Sequence, residues 1–124
     1  MGRVSTKRIY DSKEARDGTR ILVMRFWPRG VKKGHVDAWL KELGTEPSLI
    51  KAWKAGKVSW TELRRRYLAG LENPSAQAEL DELKVLARKG PLTLLCACPD
   101  ETRCHRGILK QLLRRGESTG PRGR

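Results

Sequence analysis

The chain reads as a single layered α/β domain over residues 1–115: a small, mostly parallel sheet of two to four strands covered by about five helices. Three observations predict it. Two short apolar runs, "RILVM" at 20–24 and "LTLLCAC" at 92–98, are continuous rather than alternating, the pattern of strands buried on both faces of a parallel sheet. The stretch between them carries apolar residues at helical spacing, and helices between strands favour parallel pairing. The 124 residues fit one domain, whose core is large enough to need neither disulfide nor metal to fold.

The elements follow in chain order. A short strand is expected over Lys7–Tyr10, and "DG" at 17–18 leads into the 20–24 run. In "HVDAWLKELG", Val36, Trp39, Leu40 and Leu43 stand at i, i+3, i+4 and i+7, which predicts a helix closed by Gly44. "SLIKAWKAG" predicts a second, with Ser48 as its cap, Leu49, Ile50 and Trp53 as its apolar residues and Gly56 at its end. Ser59 and Glu62 have capping-box spacing ahead of a third, whose buried stripe is Trp60, Leu63, Tyr67 and Leu71. A fourth starts at Asn73-Pro74 and stops at Gly90-Pro91, with Leu80, Leu83 and Ala87 inward. The fifth, "CHRGILKQLLRRG", buries Ile108, Leu109, Leu112 and Leu113. Residues 116–124 are basic, glycine-rich and without apolar anchors, and predict a disordered tail.

No apolar run approaches the ~18 residues of a membrane span. The first residues lack the apolar centre of a signal peptide. A cytoplasmic protein with reduced thiols is expected, and three cysteines, an odd number, argue against a disulfide framework. The formal charge of +13 sits at the two ends of the chain. Residues 1–34 hold ten Lys/Arg against three Asp/Glu, residues 35–101 ten against ten, and residues 102–124 seven against one. Two basic ends make a face for a phosphate-rich partner, either an anionic small molecule or a nucleic acid, or serve only as a solubilising surface. Nothing in the sequence sets an oligomeric state.

All three cysteines and one of the two histidines fall within Cys96–Arg106. Zinc would need Cys96, Cys98, Cys104 and His105, but one pair has a single residue between and the other has none, unlike the two to four of structural sites. No metal and no cofactor is therefore expected. Cys98 and Cys104 flank a loop short enough for a redox-responsive disulfide. Strand, cysteine, short loop, arginine and helix is also the order of a phosphatase or rhodanese loop. The Cys98–Arg103 spacing has the rhodanese count, yet Pro99 removes an N–H, and Asp100 and Glu101 would repel an anion. Finally, Cys104 falls in the first turn of the last helix with Arg103, His105 and Arg106 around it. Three potential cations there oppose the helix dipole, a conflict that a thiolate or an anionic ligand relieves. The alternative is that Asp100 and Glu101 pair with the arginines while Cys104 and Cys96 pack as small apolar residues.

In parallel sheets, ligands bind beyond the carboxyl ends of the strands. Two loops leave those ends, Arg25–Gly34 and Pro99–Arg103, and they lie side by side if the strands are parallel neighbours. The first, "RFWPRGVKKG", mixes Arg25, Arg29, Lys32 and Lys33 with Phe26 and Trp27, and Pro28 and Gly30 mark it as a loop. Arginines fork onto phosphate or carboxylate and Trp offers a stacking face, unless Trp27 packs onto the core and Arg25 bonds an acid. His35 reads as a surface or capping residue.

The segments "DGTRILV…WPRG" and "LLC…CHR" resemble the YeaO-like family, domain-of-unknown-function family 488, over about Lys7 to Leu113. The resemblance implies an α/β fold and supplies no established reaction. Its motifs fall here on Arg25, Trp27, Arg29 and Gly30, and on Cys96, Cys104, His105 and Arg106. Cys98 departs from the family pattern, which often has an acidic residue there.

Three function classes follow. A thiol-dependent enzyme would use Cys104 as nucleophile or redox thiol, His105 as proton carrier and Arg25, Arg29 and Arg106 as clamps on a phosphate-bearing substrate, with Trp27, Gly30 and Cys96 completing the pocket. A nucleic-acid-binding domain would use the basic ends. An interaction protein would keep the Cys-His-Arg segment for structure alone.

Overall fold

The computed structural model describes residues 3–98 and 101–119. The centre of the sheet is β4 (Leu92–Cys96), the second of the two apolar runs, with all five of its side chains buried. On one side it pairs in parallel with β1 (Val4–Arg8), Val4 opposite Leu92 and Arg8 opposite Cys96. On the other it pairs in parallel with β2 (Thr19–Leu22), Thr19 opposite Leu92 and Leu22 opposite Leu95. A two-residue edge strand, β3 (Ala38–Trp39), pairs in parallel with β2, and the order across the sheet is β1-β4-β2-β3. The expected α/β class and parallel sheet are observed.

Among the described residues four α-helices accompany it: α1 (Pro47–Lys54), α2 (Trp60–Gly70), α3 (Pro74–Lys89) and α4 (His105–Thr119). The Ser59 hydroxyl caps α2 by accepting from Glu62 N at 3.0 Å, and Asn73 caps α3 by accepting from Ser75 N at 3.0 Å. For α1 the start lies two residues earlier than expected: Glu46, not Ser48, is the cap, and Pro47 opens the helix, since its fixed φ suits the first helical position. The last helix continues beyond Gly116 to Thr119, into the stretch assigned to the tail, and residues 120–124 lie outside the described residues.

The helix expected over 35–44 is not formed. Its place is taken by β3 between two single 3-10 turns, Lys33–His35 and Lys41–Leu43. Backbone pairing to the sheet edge outcompetes the helical spacing. Asp37 N donates to Arg20 O at 2.8 Å and Leu40 N to Leu22 O at 2.9 Å, while the Asp37 carboxylate accepts from Arg20 N at 2.8 Å. The apolar residues are then divided: Leu40 and Leu43 enter the main core, Val36 packs on the opposite side of the sheet, and Trp39 is exposed.

Strand alternation divides the core by face. Ile21, Leu92 and Leu94 meet Tyr67 of α2 and Leu71 at its C-cap, Leu80, Leu83 and Ala87 of α3, and Ile108, Leu109 and Leu113 of α4. Leu22 and Leu95 point the other way and join Ile9, and here the cover is not a helix. It is the β2–β3 connection, through Trp27, Val31 and Val36. On that same face lies a buried polar cluster. Arg20, fully buried, bonds the Asp17 carboxylate, which also receives Lys7 Nζ at 3.0 Å. Arg20 Nε donates to His35 O at 2.9 Å, and His35 Nε2 lies 2.8 Å from Ile9 O. His35 is thus a strut between strands rather than a surface residue. Thr93 Oγ1 of β4 donates to Asp17 O at 2.9 Å, which closes the cluster across the sheet.

Asp17→Ala leaves the Arg20 guanidinium buried without its partner, which costs roughly 3–5 kcal/mol, read as a lowered midpoint in urea unfolding. Burial raises the Asp17 pKa, but the Glu14 N–H, Lys7 and Arg20 more than offset it and the net shift is downward. The stabilisation is therefore full above the ordinary aspartate pKa and is lost as the pH falls through the depressed value. An acid titration of Asp17→Ala should lack that part of the wild-type loss.

Candidate functional site

Because β2 and β4 are parallel neighbours, their carboxyl ends emerge side by side. The chain leaves β2 through Val23, Met24 and Arg25, and leaves β4 through Ala97 and Cys98. Val23 N donates to Leu95 O at 3.0 Å, which extends the pairing to the lip of the sheet. Gly44 presses against that lip. A Cβ there would lie 2.5 Å from Arg25 N, so only glycine lets the Leu43–Thr45 backbone approach so closely. Beyond the strand ends lies a cavity of about 550 Å3. Trp53 of α1 and Trp60 of α2, 5.4 Å apart between ring centroids, form part of its wall, with Cys96, Cys98, Cys104 and His105 also among its lining residues.

The three thiols form one cluster. Cys96 and Cys98 sulfurs are 3.6 Å apart, and the Cys104 sulfur lies within 4.8 Å of the Cys96 sulfur. All three cysteines are unpaired by any disulfide. Cys104 Sγ lies 3.7 Å from His105 Nδ1. The other ring nitrogen, Nε2, bonds the Val23 carbonyl. A carbonyl only accepts, so Nε2 carries the proton. Burial lowers the His105 pKa and keeps the ring neutral, so Nδ1 presents a lone pair to the sulfurs. The Cys96 thiol is pushed down by the hydrogen bonds from Cys104 and Cys98, with the Arg106 charge adding to them, whereas Cys104 is pushed up by the same shared bonds and by burial. Of the three, Cys96, at the strand end, is the thiol whose pKa is lowered, while those of Cys98 and Cys104 are raised. Cys96 Sγ, Cys104 Sγ and a ring nitrogen of His105 all lie within 4.8 Å of one another, and are the described groups able to hold a metal ion.

Arg106 is buried behind this cluster. Its Nη1 donates to Cys98 O at 2.7 Å and more weakly to Cys96 O at 3.4 Å, and its Nε has no hydrogen-bond partner among the described residues. It therefore braces the backbone that carries two of the cysteines. Arg25 lines the cavity but is already engaged: Nε donates to Gly44 O at 2.9 Å, and the guanidinium meets Glu46 at 3.1 Å and Glu42 at 3.5 Å. Trp27, Arg29 and Gly30 are not among the cavity's lining residues. Trp27 packs on the opposite face of the sheet, its Nε1 bonded to Val31 O and its ring edge-on to Trp39. Arg29 is exposed, with its carbonyl 3.3 Å from Tyr10 Oη, and Gly30 has the positive φ of a turn. The structure thus gathers Cys96, Cys104, His105, Arg106 and Arg25 and leaves the other three apart. The cavity's other basic groups are Lys54 and Arg103, the latter 5.9 Å above the Trp60 ring.

The model of the DUF488-N3a family, described as the active DUF488-N3 subclade, matches residues 4–117. The chain belongs to the DUF488 family. It is similar to the uncharacterized protein YeaO of Escherichia coli strain K12, 39% identical over 113 residues that cover 90% of this chain and 96% of YeaO. It is also 31% identical to the uncharacterized protein Rv3073c of Mycobacterium tuberculosis strain H37Rv, over 90% of this chain and 93% of that one. A protein of Mycobacterium bovis, Mb3100c, matches to the same extent. No solved structure matches. In this DUF488 chain the region matched by the family model contains the whole thiol cluster and the cavity's named walls.

Arg106→Ala removes the donor to two buried carbonyls and should cost about 1–3 kcal/mol. The lowered denaturation midpoint should be accompanied by faster amide exchange in the peptide spanning residues 96–98, whereas a purely global effect would speed exchange throughout.

Proposed function

We propose that this protein is a thiol-dependent enzyme whose cavity takes a small ligand with an apolar, flat body and an anionic group, a phosphate ester being the simplest case. One observation carries the reading. Cys96, whose thiol its surroundings push toward thiolate, is among the lining residues of a cavity walled by Trp53 and Trp60 and edged by Lys54 and Arg103. The indole faces suit the apolar body, and the two cations suit the anionic end. The matched subclade is described as active, and the reading gives that word a chemical content.

In this reading the nucleophile is Cys96, one strand end away from the Cys104 expected from helix-start position alone. The Cys96 sulfur forms the bond to the ligand's electrophilic atom as the bond to the leaving group breaks. The proton released by the cluster has an acceptor in contact, His105 Nδ1, and returns from there to the leaving group. The neighbouring Cys104 and Cys98 thiols and the Arg106 charge favour charge on Cys96, and Arg106 positions the backbone of Cys96 and Cys98. Arg25 shapes the wall through its ties to Gly44, Glu42 and Glu46 rather than gripping the ligand.

The test is alkylation of chelator-treated, folded protein, followed by peptide mass mapping. Cys96 should carry the first adduct, and Cys96→Ser should abolish it. Compared with free cysteine, the anionic reagent iodoacetate should be favoured over neutral iodoacetamide. The double substitution Lys54→Glu with Arg103→Glu should reverse that preference by roughly tenfold. A folded protein in which Cys96 stays unmodified while free cysteine is consumed overturns the reading.

A further inference from the structure

We propose that Cys96, Cys104 and His105 form a binding site for a soft, tetrahedral metal ion, Zn2+ in the first instance, through two thiolates and Nδ1, with the fourth position turned to the cavity. Ligand separation is the first argument. Bonds of about 2.3 Å to sulfur and 2.0–2.1 Å to nitrogen place tetrahedral donors roughly 3.4–3.8 Å apart. Cys104 Sγ and His105 Nδ1 already stand at 3.7 Å. The whole trio lies within 4.8 Å, so closing on an ion takes a displacement of roughly 1 Å. The adjacency of Cys104 and His105 in sequence is no obstacle, because it falls where the chain turns into α4 and both donor atoms reach the same side.

The second argument is the state of the imidazole. A metal-bound histidine commonly donates its other N–H to a carbonyl, which fixes its tautomer and its aim. His105 already does this through Val23. The third is donor type. Thiolates and imidazole select zinc or cuprous copper over magnesium and calcium, which take oxygen donors. The fourth is charge. Two thiolates neutralise a divalent ion. If Cys98, 3.6 Å from Cys96, joins as a third thiolate, the buried Arg106 guanidinium behind it balances the excess. Three protein ligands and one open position facing a cavity is the arrangement of zinc sites that bind or activate a small molecule, in contrast to closed structural sites.

The site goes beyond the thiol reading, since an ion on Cys96 and an electrophile on Cys96 exclude one another. The probes are Cd2+ and Co2+ added to the chelated protein. One equivalent of Cd2+ should raise a thiolate-to-metal charge-transfer band, one equivalent of Co2+ should give the visible spectrum of a tetrahedral sulfur–nitrogen site, and native mass spectrometry should show one bound Zn2+. Second-sphere partners alone are worth roughly 10–100-fold in affinity, so Cys104→Ser and His105→Gln should each weaken binding at least tenfold. Cys98→Ser should leave binding intact if three ligands suffice, and weaken it similarly if Cys98 is the fourth. The wild-type spectra need no variant to fold. Absence of both bands and of a one-zinc species overturns the metal site, and alkylation of Cys96 in the chelated protein would persist and keep the thiol reading. Stoichiometric zinc that leaves Cys96 alkylation unchanged would also overturn it, because the ion would then lie elsewhere.

Discussion

Parallel pairing of β4 between β1 and β2 is the constraint on which the rest depends. It buries Leu92–Cys96 completely and sets the carboxyl ends of β2 and β4 next to each other. From that follow the bond between His105 and the Val23 carbonyl, the support that Arg106 gives to the Cys96 and Cys98 backbone, and the cavity over both ends. The start of α4 is thus tied to β2 by an imidazole and to β4 by a guanidinium. The polar cluster of Asp17, Arg20 and Thr93 secures the same pair of strands from the opposite face.

The chemistry of the cluster comes from where protons are forced to lie. A carbonyl opposite Nε2 leaves only one tautomer for a neutral His105, so a lone pair meets the sulfurs. Three thiols close together cannot all hold charge, and Cys96, with the Arg106 charge beside it, is the one whose pKa is pushed down. Both a nucleophile and a ligand for a soft ion require such a sulfur, and the same geometry serves either.

Much of this was legible in the residues. Continuous apolar runs identified β2 and β4, and the spacing of Trp60, Leu63, Tyr67 and Leu71, then of Leu80, Leu83 and Ala87, marked the inner faces of α2 and α3. The Cys96–Arg106 stretch and its location beyond a strand end could be read from order alone. Residues 35–44 misled because helical spacing and an edge strand with flanking turns place apolar residues alike over so short a stretch, and only the vacant edge of β2 decides between them. In the sequence Trp27 stands open between stacking and core packing, and Arg29 groups with the cavity residues, because a loop can turn its side chains to either face of a sheet, a choice made by Leu22 and Leu95 on the far side. The sulfur cluster was illegible for a different reason. Sequence spacing measures distance along the chain, whereas Cys96 and Cys104 meet through the loop between them. The wall formed by Trp53 and Trp60 has the periodicity of any buried stripe, and nothing in it marks partial exposure.

One loop covers the rear of the sheet and also forms part of the cavity. Met24 and Phe26 line the chamber, while Trp27, the next residue, is wedged into the rear core and bonded to Val31. The backbone at this point cannot swing outward without drawing on an indole seated on the reverse side. Any displacement of Met24 and Phe26 would thereby be coupled to packing on the reverse side of the sheet, far from the sulfurs.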